Sequence, residues 1–456
     1  MRWDCLLGGS IASVPIQSWG RYPASGQQSL HPIFWRDELI PSFSATTTCL
    51  PFGQGRSYGD CCLNDNGVLL DTRRLDRFID FDKQKGSLRC EAGVTLDEIL
   101  RLIVPHGWFL PTTPGTKFVS LGGAIANDVH GKNHHRVGTF GRHIARLEIL
   151  RSNGDRLLCS PQENTDWLRA TIGGLGLTGL ITWAEIALKR IESCCLDVES
   201  VRFEDLSECF GLLAESDLNF EYTVAWVDGL ARSSSLGRGL LIRGNHGNLK
   251  GGGLRKAHAT PKISVPFDCP EGLLNRWTIA WANSLHYHRQ VRRQSRNVLH
   301  YDQFFYPLDS IGSWNRLYGR CGFLQYQCVL PEDRGHELTR TLLLEASRAS
   351  LNPFLIILKV FGEHTSPGIM SFPIKGITLA LDFPNRGIRT LNFLERLDDI
   401  VREAKGRVYP AKDARMSSKS FQCYFPQWEQ FSKYIDPVFS SNFWRRVTRE
   451  KGSRIS

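Results

Sequence analysis

Three clusters of glycine between positions 53 and 179 constrain this chain more than any other feature. Gly53-Gln-Gly-Arg-Ser-Tyr-Gly-Asp60 follows the apolar Leu50-Pro-Phe52. Pro114-Gly-Thr116 leads into Gly122-Gly-Ala-Ile-Ala-Asn127, and Gly173-Gly-Leu-Gly-Leu-Thr-Gly179 comes third. Glycine reaches positive φ and lets backbone N–H groups converge on an anion, which is how a pyrophosphate is held with few charges. One such cluster reads as a tight turn. Three of them, each beside a strand or helix start, point to a dinucleotide.

The third cluster contains Gly174-x-Gly176-x-x-Gly179, the nominal Rossmann fingerprint, which requires a strand before it and a helix after it. Here Trp167–Ile172 precedes it with helical spacing. Leu180–Leu188 follows with β-like alternation at Ile181 and Trp183, then Ile186 and Leu188. The context is reversed, which argues against a nicotinamide-type Rossmann domain.

Around the clusters, Val68–Asp71, Phe78–Phe81, Leu88–Glu91, Ile144–Leu150 and Arg156–Leu158 read as strands bounded by turn residues. Thr95–Val104 reads as a helix. Leu96, Ile99, Leu100 and Ile103 share a face, and Thr95 with Glu98 forms a capping box. From about Ser193 the texture changes to longer helical patterns with more aromatics. Asn245–Lys262, rich in Gly, Lys and His, reads as a mobile surface loop. After Gly406 a final unit runs through Lys433-Tyr-Ile-Asp-Pro to Arg445-Arg446. At 456 residues the chain exceeds what one core organises, so the expectation is an α+β protein in two parts, with the C-terminus returning to the first.

Lys and Arg total 56 against 46 Asp and Glu, a formal +10, which suits an anionic partner without choosing one. The 13 cysteines are odd in number and include no C-x-x-C pair, so reduced thiols in a cytosolic protein are expected. Asp4 and the lack of an uninterrupted apolar run after it argue against a signal peptide. No stretch approaches the roughly 18 apolar residues of a spanning helix. The best run, Phe354–Leu358, stops at Lys359. A soluble or peripheral protein is expected.

Two further motifs carry chemistry. His130-Gly-Lys-Asn-His-His135 is rich in histidine, but Gly131 breaks a helical face and no carboxylate or cysteine set lies near, so no metal is expected. The segment reads instead as a loop delivering a titratable His and a Lys to a reaction centre. Gln325-Tyr-Gln327 sets two amides on one face of a strand, as hydroxyl recognition needs. Arg289, Arg292, Arg293 and Arg296 read as a basic helical stripe. It lacks the interleaved aromatics of a nucleic-acid surface, so a solvated or membrane-facing role is expected and no nucleic-acid partner.

Together these motifs resemble the vanillyl-alcohol-oxidase-type (PCMH-type) FAD-binding flavoproteins and, more narrowly, the decaprenylphosphoryl-β-D-ribose 2′-oxidase family. The likeness continues through Trp314-Asn-Arg316, Gly322-Phe-Leu-Gln-Tyr-Gln327, Leu358-Lys-Val-Phe-Gly362, Asp382-Phe-Pro384 and Tyr409-Pro-Ala-Lys-Asp413, from Trp19-Gly-Arg21 to Arg445-Arg446. The resemblance implies a two-subdomain FAD-binding domain over 1–192, an inserted α+β substrate domain over 193–405, and a C-terminal return over 406–456. It implies that Gly53, Gln54, Gly55, Arg56, Ser57 and Tyr58 cradle the FAD pyrophosphate. Pro114, Gly115, Thr116, Gly122, Gly123, Asn127, Gly179 and Ile181 would assist, with Tyr409 close to the flavin. Related oxidases often tether FAD through a histidine in the first glycine loop. That place is Arg56 here, so non-covalent FAD is expected.

The implied reaction oxidises a secondary alcohol, C2 of a polyprenyl-phosphate-linked β-D-ribose, to a 2-keto sugar. A partner short-chain reductase would then complete epimerisation to arabinose. The alcohol C–H must be held against the flavin while its hydroxyl loses a proton, and a cation stabilises the charge that grows on the flavin. The resemblance assigns Lys412 as that cation or as the grip on the reacting oxygen. Tyr58 and His130 would orient the hydroxyl or accept its proton. Lys132, Lys359, Gln325 and Gln327 would bind sugar hydroxyls and phosphate, with Trp226 an apolar wall. The sequence departs from the family at Ala380, where members often carry cysteine, so no thiol adduct can form there. An aldonolactone or alditol oxidase using oxygen, and a non-catalytic basic flavoprotein binding membrane or nucleic acid, are the alternatives. The expected place is the cytoplasm, peripheral at the inner membrane face.

Overall fold

A computed structural model describes residues 16–44, 46–247, 263–349 and 351–448. The first strands are β1 (Ser29–Pro32), β2 (Cys49–Phe52) and β3 (Val68–Asp71), a parallel sheet in the order β1-β3-β2. Next come β4 (Phe78–Asp82), β5 (Ser87–Glu91), β6 (Trp108–Phe109), β7 (Ile144–Leu150), β8 (Arg156–Cys159), β9 (Leu180–Ala187) and β10 (Lys189–Arg190). An antiparallel sheet forms in the order β4-β5-β9-β7-β8, and β6 pairs with β10. Four helices lie among these strands: α1 (Leu96–Ile103), α2 (Leu121–Ala126), α3 (His134–Val137) and α4 (Thr165–Thr171).

Helix α1 begins where the sequence places it. Thr95 accepts the N–H of Glu98, and the Glu98 carboxylate accepts the Thr95 N–H at 2.8 Å. Its Leu96, Ile99, Leu100 and Ile103 are fully buried in one core with Leu88, Leu147 and Ile186 of the five-stranded sheet. Burial of this kind stabilises by about 1.5–3 kcal/mol per side chain, more than capping contributes. The third glycine cluster runs from α4 to β9, helix before and strand after, the reverse of a Rossmann turn.

The second half is built on β11 (Cys195–Phe203), β12 (Tyr222–Val227), β13 (Gly239–His246), β14 (Ile263–Ser264), β15 (Gln294–His300), β16 (Ile311–Gly312), β17 (Phe323–Pro331), β18 (Ile356–Phe361), β19 (Gly376–Pro384) and β20 (Arg407–Val408). Eight of these form one sheet in the order β15-β11-β13-β12-β18-β19-β17-β20, while β14 pairs with β16. Helices α5 (Leu206–Ser216), α6 (Arg276–His288), α7 (Tyr301–Phe305), α8 (Gly335–Arg348) and α9 (Ile388–Glu403) are interspersed. The last helices among the described residues are α10 (Ser418–Tyr424), α11 (Trp428–Ser432) and α12 (Asn442–Thr448).

Alternation along the strands decides what each sheet face does. Leu324, Tyr326, Cys328 and Leu330 of β17 join Leu379, Leu381 and Phe383 of β19 in the core under α8 and α9. The intervening residues, Gln325, Gln327 and Ala380, face the other way into a large cavity. After β20 the chain crosses to the first sheets. Phe439 bridges to Cys49, and Arg446 of α12 grips Asp60.

Two expectations are corrected. The arginine stripe is not helical, because α6 stops at His288 and Arg296 lies in β15. The Gln290 side chain turns the chain there by donating to the carbonyls of Ser200 and Arg293. Of the segment expected to be a loop from Asn245, Asn245 and His246 belong to β13, and positions 248–262 lie outside the described residues. Among the described residues no helix is long and apolar enough to cross a membrane.

Candidate active site

A cavity of about 700 Å³ opens between the glycine clusters and the exposed face of the eight-stranded sheet. This is the size range of small-molecule and cofactor sites. The first cluster leaves β2 and turns at Gly55, whose φ of +60° favours glycine. It is held from both sides. Trp19 and Gly20 donate to the carbonyls of Ser57 and Tyr58, and the Tyr58 N–H donates to Ala411 at 3.0 Å. Among the described residues the N–H groups of Gln54, Gly55, Arg56 and Ser57 have no acceptor. A run of unsatisfied main-chain donors beside a cavity is a ready anion cradle.

The second and third clusters close the cradle. Ser120 caps α2, and Gly122 donates to Ala92 at 2.8 Å in a close approach that a side chain would crowd. Gly173 and Leu175 donate to the carbonyls of Ile125 and Ala126, zipping the third loop to α2. Asn127 donates to Gly123 at 2.8 Å, while its side-chain oxygen is buried without a partner. Main-chain donors, glycines that leave room and an orphaned amide oxygen fit an uncharged grip on a dinucleotide.

The opposite wall follows from strand register. Gln327 lies opposite Ala380, Ala380 opposite Ile357, and Ile357 opposite Trp226, so one row crosses β17, β19, β18 and β12. The flanking row sets Thr378 opposite Lys359. Lys412 enters from the segment after β20, its ammonium 3.6 Å from the centre of the Tyr58 ring. Gln327 donates to Nε2 of His130 at 2.9 Å. Gln325 donates to the buried carboxylate of Asp382, whose other oxygen has no partner among the described residues.

Burial dominates the electrostatics. It pushes the Lys412 amine down to about 7, with Asp382 opposing and Lys359 adding to the effect. It pushes Lys359 down to about 8, and Lys132 to about 7 with help from Lys359. Burial likewise raises Asp382 to about 7 against the pull of Gln325 and Lys412. His130 is driven well below its ordinary value, first by burial and then by Lys359, His134 and Lys412, so it is a neutral imidazole. With Nε2 accepting from Gln327, its hydrogen sits on Nδ1, which makes His130 a donor. Tyr58 is raised well above its ordinary range, chiefly by burial, and stays a neutral phenol.

Every site residue expected from the sequence lines this one cavity: the cradle from Gly53 to Tyr58, Pro114–Thr116, Gly122, Gly123, Asn127, Gly179, Ile181, Tyr409, and the opposing Lys132, Trp226, Gln325, Gln327, Lys359, His130 and Lys412. Lys132 is the most committed elsewhere, donating to the carbonyls of Phe304 and Phe305 at 2.9 Å each. Sequence reasoning missed Trp19, Asp309 and the α6 residues Asn283 and His286, all in the wall. Trp19 stacks on the Arg56 guanidinium at 4.3 Å, and Asp309 accepts the Lys117 N–H at 2.9 Å. Trp19 stands in the Trp19-Gly-Arg21 motif without a site role being legible there, and no local motif marks the others, because tertiary contact brings them here. Asp382 stands in the Asp382-Phe-Pro384 motif. Its signal is a carboxylate inside an otherwise apolar strand.

Comparison with known proteins accords with this geometry. Residues 44–160 match the family model of an FAD binding domain. The chain is 35% identical over 409 residues to the decaprenylphosphoryl-β-D-ribose oxidase of Mycolicibacterium smegmatis, covering 87% of this chain and 88% of that one. An uncharacterized protein of Streptomyces coelicolor is 32% identical over 78% of this chain and all of its own length. The L-gulonolactone oxidase of Mus musculus is 28% identical over 37% of this chain and 39% of its own. The protein is thus an FAD-dependent oxidoreductase of α+β architecture, with FAD as its cofactor. Within that class the chain belongs to the decaprenylphosphoryl-β-D-ribose oxidase family.

Proposed function

We propose that the protein oxidises a secondary hydroxyl of a phosphorylated, lipid-linked pentose, C2 of a polyprenyl-phosphate-linked β-D-ribose, to the 2-keto sugar. The observation that carries the reading is the facing of two walls. A charge-poor glycine cradle looks across one cavity at Lys359, Lys412 and a row of amides from the sheet. The name of the Mycolicibacterium relative supplies the sugar and the lipid.

Bound FAD would supply the hydride acceptor. The N–H groups from Gln54 to Ser57 would hold its pyrophosphate, Pro114–Thr116, Gly122, Gly123, Asn127, Gly179 and Ile181 would line the rest of the cofactor site, and Tyr409 would pack against its ring. The division into 1–192 and 406–456 for the cofactor and 193–405 for the substrate follows the same reading. Arg56 is not a nucleophile, which supports non-covalent FAD. On the substrate side, Lys359, Gln325 and Gln327 would take phosphate and sugar hydroxyls, Lys132 would contribute its remaining donor, and Trp226 would cover an apolar face. The neutral His130, whose Nε2 accepts from Gln327 and whose Nδ1 is buried, would hold the Gln327 amide in place against the sugar hydroxyls. Tyr58 would brace Lys412 through its ring face. Lys412, pushed to about 7, would grip the reacting oxygen by donation from its ammonium. In this reading a reductase of short-chain type would take the keto product, and the enzyme would work in the cytoplasm against the inner membrane face.

The test is anaerobic addition of a lipid-linked phosphopentose to the holoenzyme while absorbance at about 450 nm is followed. The reading expects bleaching faster than with soluble aldonolactones, and Lys412→Ala should retain FAD while losing bleaching. Faster bleaching by lactones would make the protein an aldonolactone oxidase instead. No bleaching by any sugar would leave a non-catalytic flavoprotein.

A further inference from the structure

Helix α6 carries two opposed stripes. Ile279, Asn283 and Tyr287 are buried, Asn283 donating to Asp228 at 2.8 Å and the Tyr287 hydroxyl to the Phe203 carbonyl at 3.2 Å. Two residues earlier, about 200° round the helix, Trp277, Trp281 and Leu285 are 80%, 70% and 56% exposed. On the inner side Ala282, Asn283 and His286 belong to the cavity wall. Two tryptophans and a leucine at i, i+4 and i+8 would ordinarily be a core face, and here nothing among the described residues covers them.

Along the sequence between Glu271 and Asp302 the charged residues have one sign. From Gly272 to Tyr301 the sequence holds five arginines, Arg276, Arg289, Arg292, Arg293 and Arg296, and no Asp or Glu. All five are exposed. Arg293 pairs with Glu208 and Arg296 with Glu199, while Arg276, Arg289 and Arg292 have no ion pair among the described residues. A basic helix with Trp and Leu on its outer face, aromatic rings at the level of headgroups and arginines facing anionic lipid, is the composition of an interfacial helix. A second copy of the chain fits less well, because apposing two such faces brings like charges together.

We propose that the outer face of α6 docks the protein on an anionic lipid surface, so that the helix whose inner face walls the cavity lies against the bilayer. This rests on the lipid-linked substrate reading only for the reason docking is useful. The arginines act through charge, and the Trp277–Trp281–Leu285 stripe acts by insertion among the headgroups. The arginines therefore do not form the single helical stripe that spacing suggested. They flank an aromatic one.

The holoenzyme is sedimented with vesicles of phosphatidylcholine alone and of phosphatidylcholine with phosphatidylglycerol. Binding to the anionic vesicles is expected, and it should weaken in high salt. The exposed double variant W277S/W281S should lose at least about tenfold in affinity, and R289Q or R292Q about fivefold each. Melting temperature and flavin content should stay at the parent values. Absent binding, or equal binding by W277S/W281S, overturns the proposal. So does a parent dimer that the double variant dissolves. Flavin bleaching is read in parallel. If vesicles bind as expected while no pentose bleaches the flavin, docking stands and the substrate reading falls. If pentose bleaches the flavin and vesicle binding is unchanged by the substitutions, docking alone falls.

Discussion

Arg446 of α12 ties the first glycine loop to the segment that presents Lys412. Its guanidinium donates to Asp60 at 2.6 and 2.9 Å, to Asp413 at 3.0 Å, and to the Met416 carbonyl. The Asp60 and Asp413 side chains are 3% and 2% exposed, so Arg446→Met would strand the Asp60 carboxylate and leave Asp413 with only the N–H groups of Arg415 and Met416. Breaking one partner out of a buried pair costs about 3–5 kcal/mol, and the low end applies because Arg446 keeps 26% exposure. Unfolding entropy of about 2.1 cal/mol/K per residue gives about 1 kcal/mol/K for a chain this long, so melting should fall by about 3 °C. Burial already raises the pKa of Asp60, with Arg446 opposing. A carboxyl whose folded pKa is raised costs stability once it ionises, and that cost disappears as pH falls and it takes up a proton. The R446M deficit should therefore be larger at about pH 8 than at about pH 5. Thermal unfolding of the holoenzyme at the two pH values, read by circular dichroism and flavin fluorescence, measures both. The added substitution Asp60→Asn should recover part of the loss. A melting temperature within about 1 °C of the parent, or an equal deficit at both pH values, would refute the reasoning.

Other outcomes follow from the same geometry. Asp382→Asn removes the charge that holds the Lys412 amine up against burial, so the alkaline limb of substrate-dependent flavin reduction should move to lower pH; an unmoved limb would separate Asp382 from Lys412. Gly59→Ala should destabilise the protein and weaken FAD binding, because the added Cβ would overlap the Asp413 carbonyl and push the two loops apart; titration with FAD and thermal melting check it. Acid precipitation should leave the yellow colour in the supernatant, and a yellow pellet would reveal a covalent tether that Arg56 does not provide. Substitution of Ala380 by Cys should make the cavity open to a thiol-directed adduct detected by mass, which the parent cannot form at that position.

The three glycine clusters, the capping box at Thr95 and the Gln325-Tyr-Gln327 alternation were legible because their physics is local. Positive φ, first-turn donors and period-2 alternation are properties of neighbouring residues, and the structure keeps all three. The arginine stripe misled because helical spacing from Arg289 to Arg296 says nothing of β11, whose edge recruits Gln294–His300 as a strand. The cradle residues were nameable one by one, yet the sequence carries no sign that their N–H groups lack acceptors within the chain.

By itself the sequence determined an α+β chain with a dinucleotide cradle and a polar strand face, since turn chemistry and alternation dictate both. Only the tertiary structure decided which groups meet. Register across β12, β18, β19 and β17 aligned Trp226, Ile357, Ala380 and Gln327 in one row. Packing buried Asp382 beside Gln325 and set Lys412 over Tyr58. Those pairs come from residues far apart in sequence, and their altered acidities arise from burial, which no local pattern encodes.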